Sequence, residues 1–409
     1  MAEATMSAPL SAKGDTSFEV WLDVIRWVSA FAVVCTHVNN RFLIKYLLLD
    51  ADRRHFVHLI IAFIAGFGHQ AVVAFFVISG LLVGGSLWNE NQRSPRLDLG
   101  AYFVKRLVRL WTVLIPALFL IAVADAIGQD VFHGGPVYGI VDAEDSGAGL
   151  GVTALLCNAA FLQDAFCLQY GSDGALWSLF NEFWYYVIWP FLLIGVFSKR
   201  RPLIRGASLG VAAALLIGLA CFQRLGAPIA PYFLIWLLGV VVATRRSPLV
   251  KMGRNQSALL LAVFMIAFRL AVPTAWMDKT PYAWFVADLA LSLLLANTLL
   301  SAKLDPTLPT PPLPQTHRRL ANFSFSLYCV HTPILNLYIS ILVFYFGVGW
   351  KMVPSNWQTV LLVASGVVVG VAGGYLFSLA TEAHTHKLRK KALAILNGRA
   401  RKVFAPKSA

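Results

Sequence analysis

Apolar residues gather in ten blocks, at roughly 20–38, 70–88, 107–127, 176–197, 203–222, 229–244, 256–273, 282–301, 322–346 and 359–380. At ~1.5 Å rise per residue most of these blocks suffice to cross the hydrocarbon of a bilayer as helices. They are apolar all round, and the ten-residue alternation that marks a membrane barrel does not occur. The pattern predicts an all-α polytopic membrane protein, a bundle of about ten transmembrane helices. Three weaker stretches fall between them. Leu59 to His69 leads into the second span and is expected as a membrane-surface or re-entrant piece. "LGVTALLCNAAFLQ" (Leu150 to Gln163) is too short and interrupted to span. Pro-rich "KLDPTLPTPPLPQTHRR" (Lys303 to Arg319) is expected as an extended loop, because proline resists regular helix. No internal repeat and no soluble domain is evident. The expected organisation is a tail over 1–19, a membrane domain over 20–380 and a basic tail over 381–409.

Composition agrees. Hydrophobic residues make up 58% of the chain and charged residues 13%, with a mean hydropathy of +0.68. The start, "MAEATMSAPLSAKGDTSFEV", lacks a basic segment followed by a short apolar core, so no cleaved signal peptide is expected. If ten spans alternate, 25 of the 34 Lys and Arg residues lie on one side, in the loops after every second span and in both tails. The long opposite loop from Gly128 to Ala175 has none, and carries Asp130, Asp142, Glu144, Asp145, Asp164 and Asp173. This asymmetry predicts cytoplasmic termini. It also assigns the net charge of +14 to topology and anionic lipid heads rather than to nucleic acid.

Against this apolar background the ionisable interruptions stand out, because a charge in hydrocarbon costs several kcal/mol. The first block, "LDVIRWVSAFAVVCTHV", contains Arg26 and His37. Eleven residues turn a helix by ~1100°, within ~20° of whole turns, so both share a face, ~16 Å apart along the axis. "KRLVRLW" puts Arg106 and Arg109 on one face at the cytoplasmic mouth of the third span, either as an ordinary positive flank or as a phosphate-binding pair. In "ALWSLFNEFWYYVIWP", Glu182 lies among aromatics within the fourth span, as a functional carboxylate or the partner of a structural cation. Trp177, Trp184, Tyr185 and Tyr186 read as an interfacial aromatic belt. Ser79-Gly80, with Gly84 and Gly85, reads first as a close helix contact. Tyr328 and His331 stand three apart in the ninth span, where His331 alone reads as a buried, hydrogen-bonded histidine. Cys157 and Cys167 share the acidic outer loop, where an oxidising compartment would join them. No His, Cys and carboxylate cluster has metal-ligand spacing, so no metal is expected.

Taken in order, "LDVIRWVSAFAVVCTHV", "FFVISGLL", "KRLVRLW", "WSLFNEFWYY" and "FSLYCVHTPI" resemble the bacterial integral-membrane acyltransferases of acyltransferase family 3, over roughly Phe18 to Arg389. Even "ATEAHTHKLRKK", with Glu382, looks like the family's terminal pattern. The run after Asn181-Glu182 departs from it, with Phe-Trp-Tyr-Tyr in place of the usual acidic or Gln variant. The resemblance implies a multi-pass protein of the bacterial inner membrane. It would move an acyl group, acetyl or another short chain, from cytosolic acyl-CoA to a hydroxyl of a cell-surface or periplasmic glycan or glycolipid. Acyl-CoA is then a donor substrate, with no tightly bound cofactor. Arg26, Arg106 and Arg109 would hold the donor's phosphates. His37 would serve as general base or as acyl-accepting nucleophile, with Glu182 orienting its ring. Ser79, Trp177, Tyr328 and His331 fall on the matching motifs and become candidate substrate-contacting residues. The competing reading is a transporter or flippase of an anionic substrate. It would predict inverted repeats and Gly- or Pro-broken helix pairs in matching halves, which the sequence does not display.

Overall fold

The computed structural model describes residues 16–94, 97–138, 149–223, 228–271, 282–354 and 356–403. Among these residues the chain is helical without a β-sheet, and its only strand-like pairings are single bridges at Leu43–Met352 and Gln163–Cys167. Among the described residues each of the ten apolar blocks contains a helix. In chain order the helices of eight residues or more are α1 (Ser17–Phe42), α2 (Phe56–Arg93), α3 (Leu99–Val131), α4 (Val152–Ala159), α5 (Gly174–Phe197), α6 (Pro202–Phe222) and α7 (Ile229–Thr244). They continue with α8 (Arg254–Ala271), α9 (Ala283–Leu304), α10 (Pro314–Ala321), α11 (Ser324–Phe346), α12 (Trp357–Ala380) and α13 (Thr385–Val403). Seven helices of the described residues are long and apolar enough to cross a membrane, and α7 is a shorter apolar helix. Asp142, Glu144 and Asp145 of the acidic loop lie outside the described residues.

Local chemistry explains the boundaries. Thr16 accepts from the Glu19 amide at 3.3 Å while the Glu19 carboxylate accepts from the Thr16 amide at 2.9 Å, a reciprocal cap that starts α1. The segment Leu59 to His69, expected as a membrane-surface or re-entrant piece leading into the second span, is part of one helical run, α2. A 3-10 turn at Ala65–Phe67 joins its two parts, and Thr36 on α1 bonds both the Ala65 carbonyl and the Gly68 amide there. The Pro-rich loop is likewise shorter than expected. Pro314 occupies the first helical position of α10, where a proline lacks only an amide that would be unpaired anyway. Cys157 and Cys167 are joined by a disulfide that closes the loop after α4.

Packing follows from small residues. Gly80 sits at the start of a π turn, Gly80–Gly84, inside α2. A side chain built there would overlap the Trp236 carbonyl of α7, and one at Gly239 would overlap the Val77 carbonyl in return. The Ser79-Gly80 motif therefore marks a backbone-to-backbone crossing. Gly366, Gly370 and Gly374, four apart on α12, let Phe42, Val34 and Leu327 approach in the same way. Gly80→Val should lower the unfolding midpoint in detergent by the equivalent of about 1–3 kcal/mol. Gly206→Val, at a helical glycine with open space around it, should cost clearly less. Equal losses in the two variants would contradict the crossing.

Candidate functional site

Helices α1, α2, α3, α5, α11 and α13 enclose a cavity of about 270 Å³. Cations gather at one end: Arg26, Lys105, Arg106, Arg109 and Arg389 all line it. Their helical spacing places them together, since Lys105, Arg106 and Arg109 occupy little more than one turn of α3 and Arg26 faces them from α1. Arg26 bonds Asp23 at 3.1 Å and the Ala321 carbonyl, the last residue of α10, at 3.2 Å. Arg106 lies over the Tyr102 ring and Arg109 over the Phe325 ring. The Arg106 Nε is buried without a hydrogen-bond acceptor among the described residues.

Further along, the wall is neutral and aromatic except for one hydrogen-bonded group. Glu182 on α5 accepts from Ser79 Oγ at 2.7 Å and from the Tyr186 hydroxyl, and Trp236 Nε1 donates to Ser79 Oγ at 3.1 Å. Tyr328 forms the next section. Its hydroxyl donates to the Ala175 carbonyl at 2.7 Å and accepts from Ser178 Oγ at 2.6 Å. Trp177 is not in this lining; it packs edge-on against Phe76 behind it. Tyr185 and Tyr186 are 0% and 3% exposed, so they are core residues and not an interfacial belt. They are buried because α5 is packed on both sides, which a single sequence does not reveal.

One helical turn beyond Tyr328, His331 meets His37, with the ring centroids 4.9 Å apart and the planes at 63°. Neither histidine touches Glu182. His37 Nδ1 faces Arg41 Nη1 at 2.9 Å, and Arg41 Nε donates to Asn336 Oδ1 at 2.6 Å. A guanidinium only donates, so His37 Nδ1 is the accepting nitrogen and Nε2 carries the hydrogen. His331 is held the opposite way. Its Nδ1 points at the Tyr328 and Leu327 carbonyls, at 2.8 and 3.1 Å, and carbonyls only accept. Nδ1 therefore bears the hydrogen and Nε2 the lone pair, which accepts from Thr332 Oγ1 at 3.3 Å. The pair presents one N–H and one lone pair.

The Arg and His levels expected from the first block thus occur on one face of α1, each with a partner the sequence reading did not name. The i+4 relation of Arg41 to His37 on α1 is a signal the sequence carries. Asn336, five residues after His331 on α11, gave no separate signal.

A family model for an acyltransferase domain matches residues 19–379. The chain belongs to acyltransferase family 3. Neither a curated protein nor a solved structure matches it. This acyltransferase of family 3 is therefore a transferase of groups other than aminoacyl groups, built on helices apolar enough to span a membrane. The loop before α5 brings Asp173 into the field of Arg41. Asp173 is 0% exposed, and its Oδ1 accepts from the Ala175 amide at 3.1 Å. Burial pushes the Asp173 carboxyl up to about 7, against the opposing pull of Arg41. A carboxyl raised in this way favours the folded state at low pH, and that contribution is lost as pH rises from 3.8 through 7. Asp173→Asn keeps the amide acceptor and should flatten the fall in unfolding midpoint across that window. Identical slopes for the variant and the wild type would contradict this origin.

Proposed function

We propose that this protein takes an acyl group, acetyl or another short chain, from cytosolic acyl-CoA and esterifies a hydroxyl of a periplasmic or cell-surface carbohydrate. The observation that carries the reading is the cavity itself. It has a cationic end, a hydrogen-bonding section around Ser79 and Glu182, and a Tyr328 wall that stops one turn short of the two imidazoles. Donor phosphates suit the guanidinium end, where charge-assisted, bidentate bonds are strongest. The pantetheine arm is long, narrow and amide-bearing, and Ser79, Glu182 and Tyr186 are suited to its amides. The thioester then comes toward the imidazole pair, and ~16 Å of helix rise separates Arg26 from His37.

In the proposed chemistry the acceptor hydroxyl attacks the thioester carbonyl. The unprotonated Nε2 of His331, exchanging its bond from Thr332 for the acceptor, takes the hydroxyl proton, the Nε2–H of His37 bonds the oxygen on which negative charge develops, and collapse expels the thiolate, which receives the proton. Arg41 and Asn336 are positioning residues that fix the tautomer of His37. The ten-span topology with cytoplasmic termini, and an inner-membrane location, belong to this reading and are supported by the distribution of Lys and Arg.

The test follows free thiol released from acetyl-CoA by purified protein in nanodiscs supplied with glycan acceptors. Thiol should appear in step with acylated glycan. Absence of thiol with every acyl-CoA and acceptor offered would overturn the reading.

A further inference from the structure

The segment after residue 380 reads from sequence as a basic tail, yet α13 folds back along α3, where Leu396 lies against Gly100. Its first turn enters the cavity. Thr385 and Arg389, four residues apart and so on one face, both line the cationic end. Thr385 Oγ1 is buried with no hydrogen-bond partner among the described residues, as is Arg106 Nε across the same space. Two buried donors facing one cavity without acceptors mark where an acceptor-rich ligand fits. The charges point the same way. Arg26, Lys105, Arg106, Arg109 and Arg389 surround the space. Of the nearby carboxylates, Asp23 is bonded to Arg26, and Glu382 accepts from the Ser326 amide while facing Arg26 and Arg109. The cluster is left net positive.

We propose that α13 is a wall of the donor site, with Thr385 and Arg389 binding the phosphates of the nucleotide end of the acyl donor. The inference rests on the acyl-CoA reading above and adds a ligand-binding role for the C-terminal helix. Thr385 supplies a hydroxyl donor and Arg389 a planar fork.

The probe is adenosine 3′,5′-bisphosphate, which carries nucleotide phosphates but no pantetheine and no thioester. Its affinity is measured by calorimetry on the full chain in detergent, with unfolding midpoints confirming that each variant is folded. Arg389→Gln should weaken binding by about tenfold or more, Arg389→Lys by less, and Thr385→Val by a few-fold. Lys390→Gln, at an exposed position on the same helix with the same change in charge, should leave affinity within twofold. Equal effects of Arg389→Gln and Lys390→Gln would overturn the inference while leaving the acyl-CoA reading intact. A wild type that does not bind the probe would remove both. Phosphatidylglycerol added at matched charge should not displace the probe; displacement would assign the cluster to lipid headgroups and overturn the donor assignment.

Discussion

His331→Gln should cost about 10²–10⁴-fold in acyl transfer, because a glutamine cannot hold and release a proton near neutral pH. The expectation comes from hydrogen-bond directions. The Tyr328 and Leu327 carbonyls tie up the Nδ1 hydrogen, so the lone pair of the imidazole pair is on His331 Nε2. His37 should behave differently. His37→Ala removes the N–H aimed at the developing oxyanion and should lose about 10²–10³-fold. His37→Gln retains an amide N–H and should recover part of that loss. Arg41→Gln should fall between, because His37 would be free to adopt the other tautomer while its ring stays in place. Transfer rates at saturating donor, in membranes with matched protein levels, check all four. Recovery in His331→Gln but not in His37→Gln would exchange the two roles.

The second large effect lies at the other end of the cavity. Arg106→Ala and Arg109→Ala should each raise the KM for acyl-CoA by about 10- to 100-fold, the range expected for a charge-assisted bond to phosphate, and change kcat little. Arg→Lys should restore only part of it, since an ammonium cannot make the planar paired contact. Arg26→Ala should show a mixed phenotype. Its guanidinium also bridges Asp23 and the Ala321 carbonyl, so the variant should lose stability as well as donor affinity. Measuring KM against kcat, with unfolding midpoints alongside, separates the two contributions. A fall in kcat at unchanged KM for Arg106→Ala or Arg109→Ala would move the donor phosphates elsewhere.

Much of this arrangement was legible in the chain, and the reasons are particular. Helical period and the cost of intramembrane charge put Arg26 and His37 on one face and drew notice to Glu182, Arg106 and Arg109, while Tyr328 and His331 became candidates through the family resemblance. Ser79-Gly80 was legible as a crossing because only a missing Cβ permits the approach to Trp236 and Gly239. What was not legible depends on which helices become neighbours. Glu182 was expected beside His37, yet Ser79 and Tyr186 claim its carboxylate. The burial of Tyr185 and Tyr186, the wall made by Thr385 and Arg389, and the meeting of the two histidine rings are tertiary facts, set by elements far apart in sequence. The start of α10 was not legible for a simpler reason: proline was taken to resist helix throughout Lys303 to Arg319, whereas Pro314 begins one.

The most direct measurement of the central claim is acetyl transfer from acetyl-CoA to a glycan hydroxyl by wild type, His37→Ala and His331→Gln in proteoliposomes, with nucleotide binding measured on the same preparations. The expected result is transfer by the wild type, a loss of about 100-fold or more in both variants, and adenosine 3′,5′-bisphosphate affinity unchanged within a few-fold. Wild-type-like transfer in either variant would contradict the imidazole pair as the reacting centre.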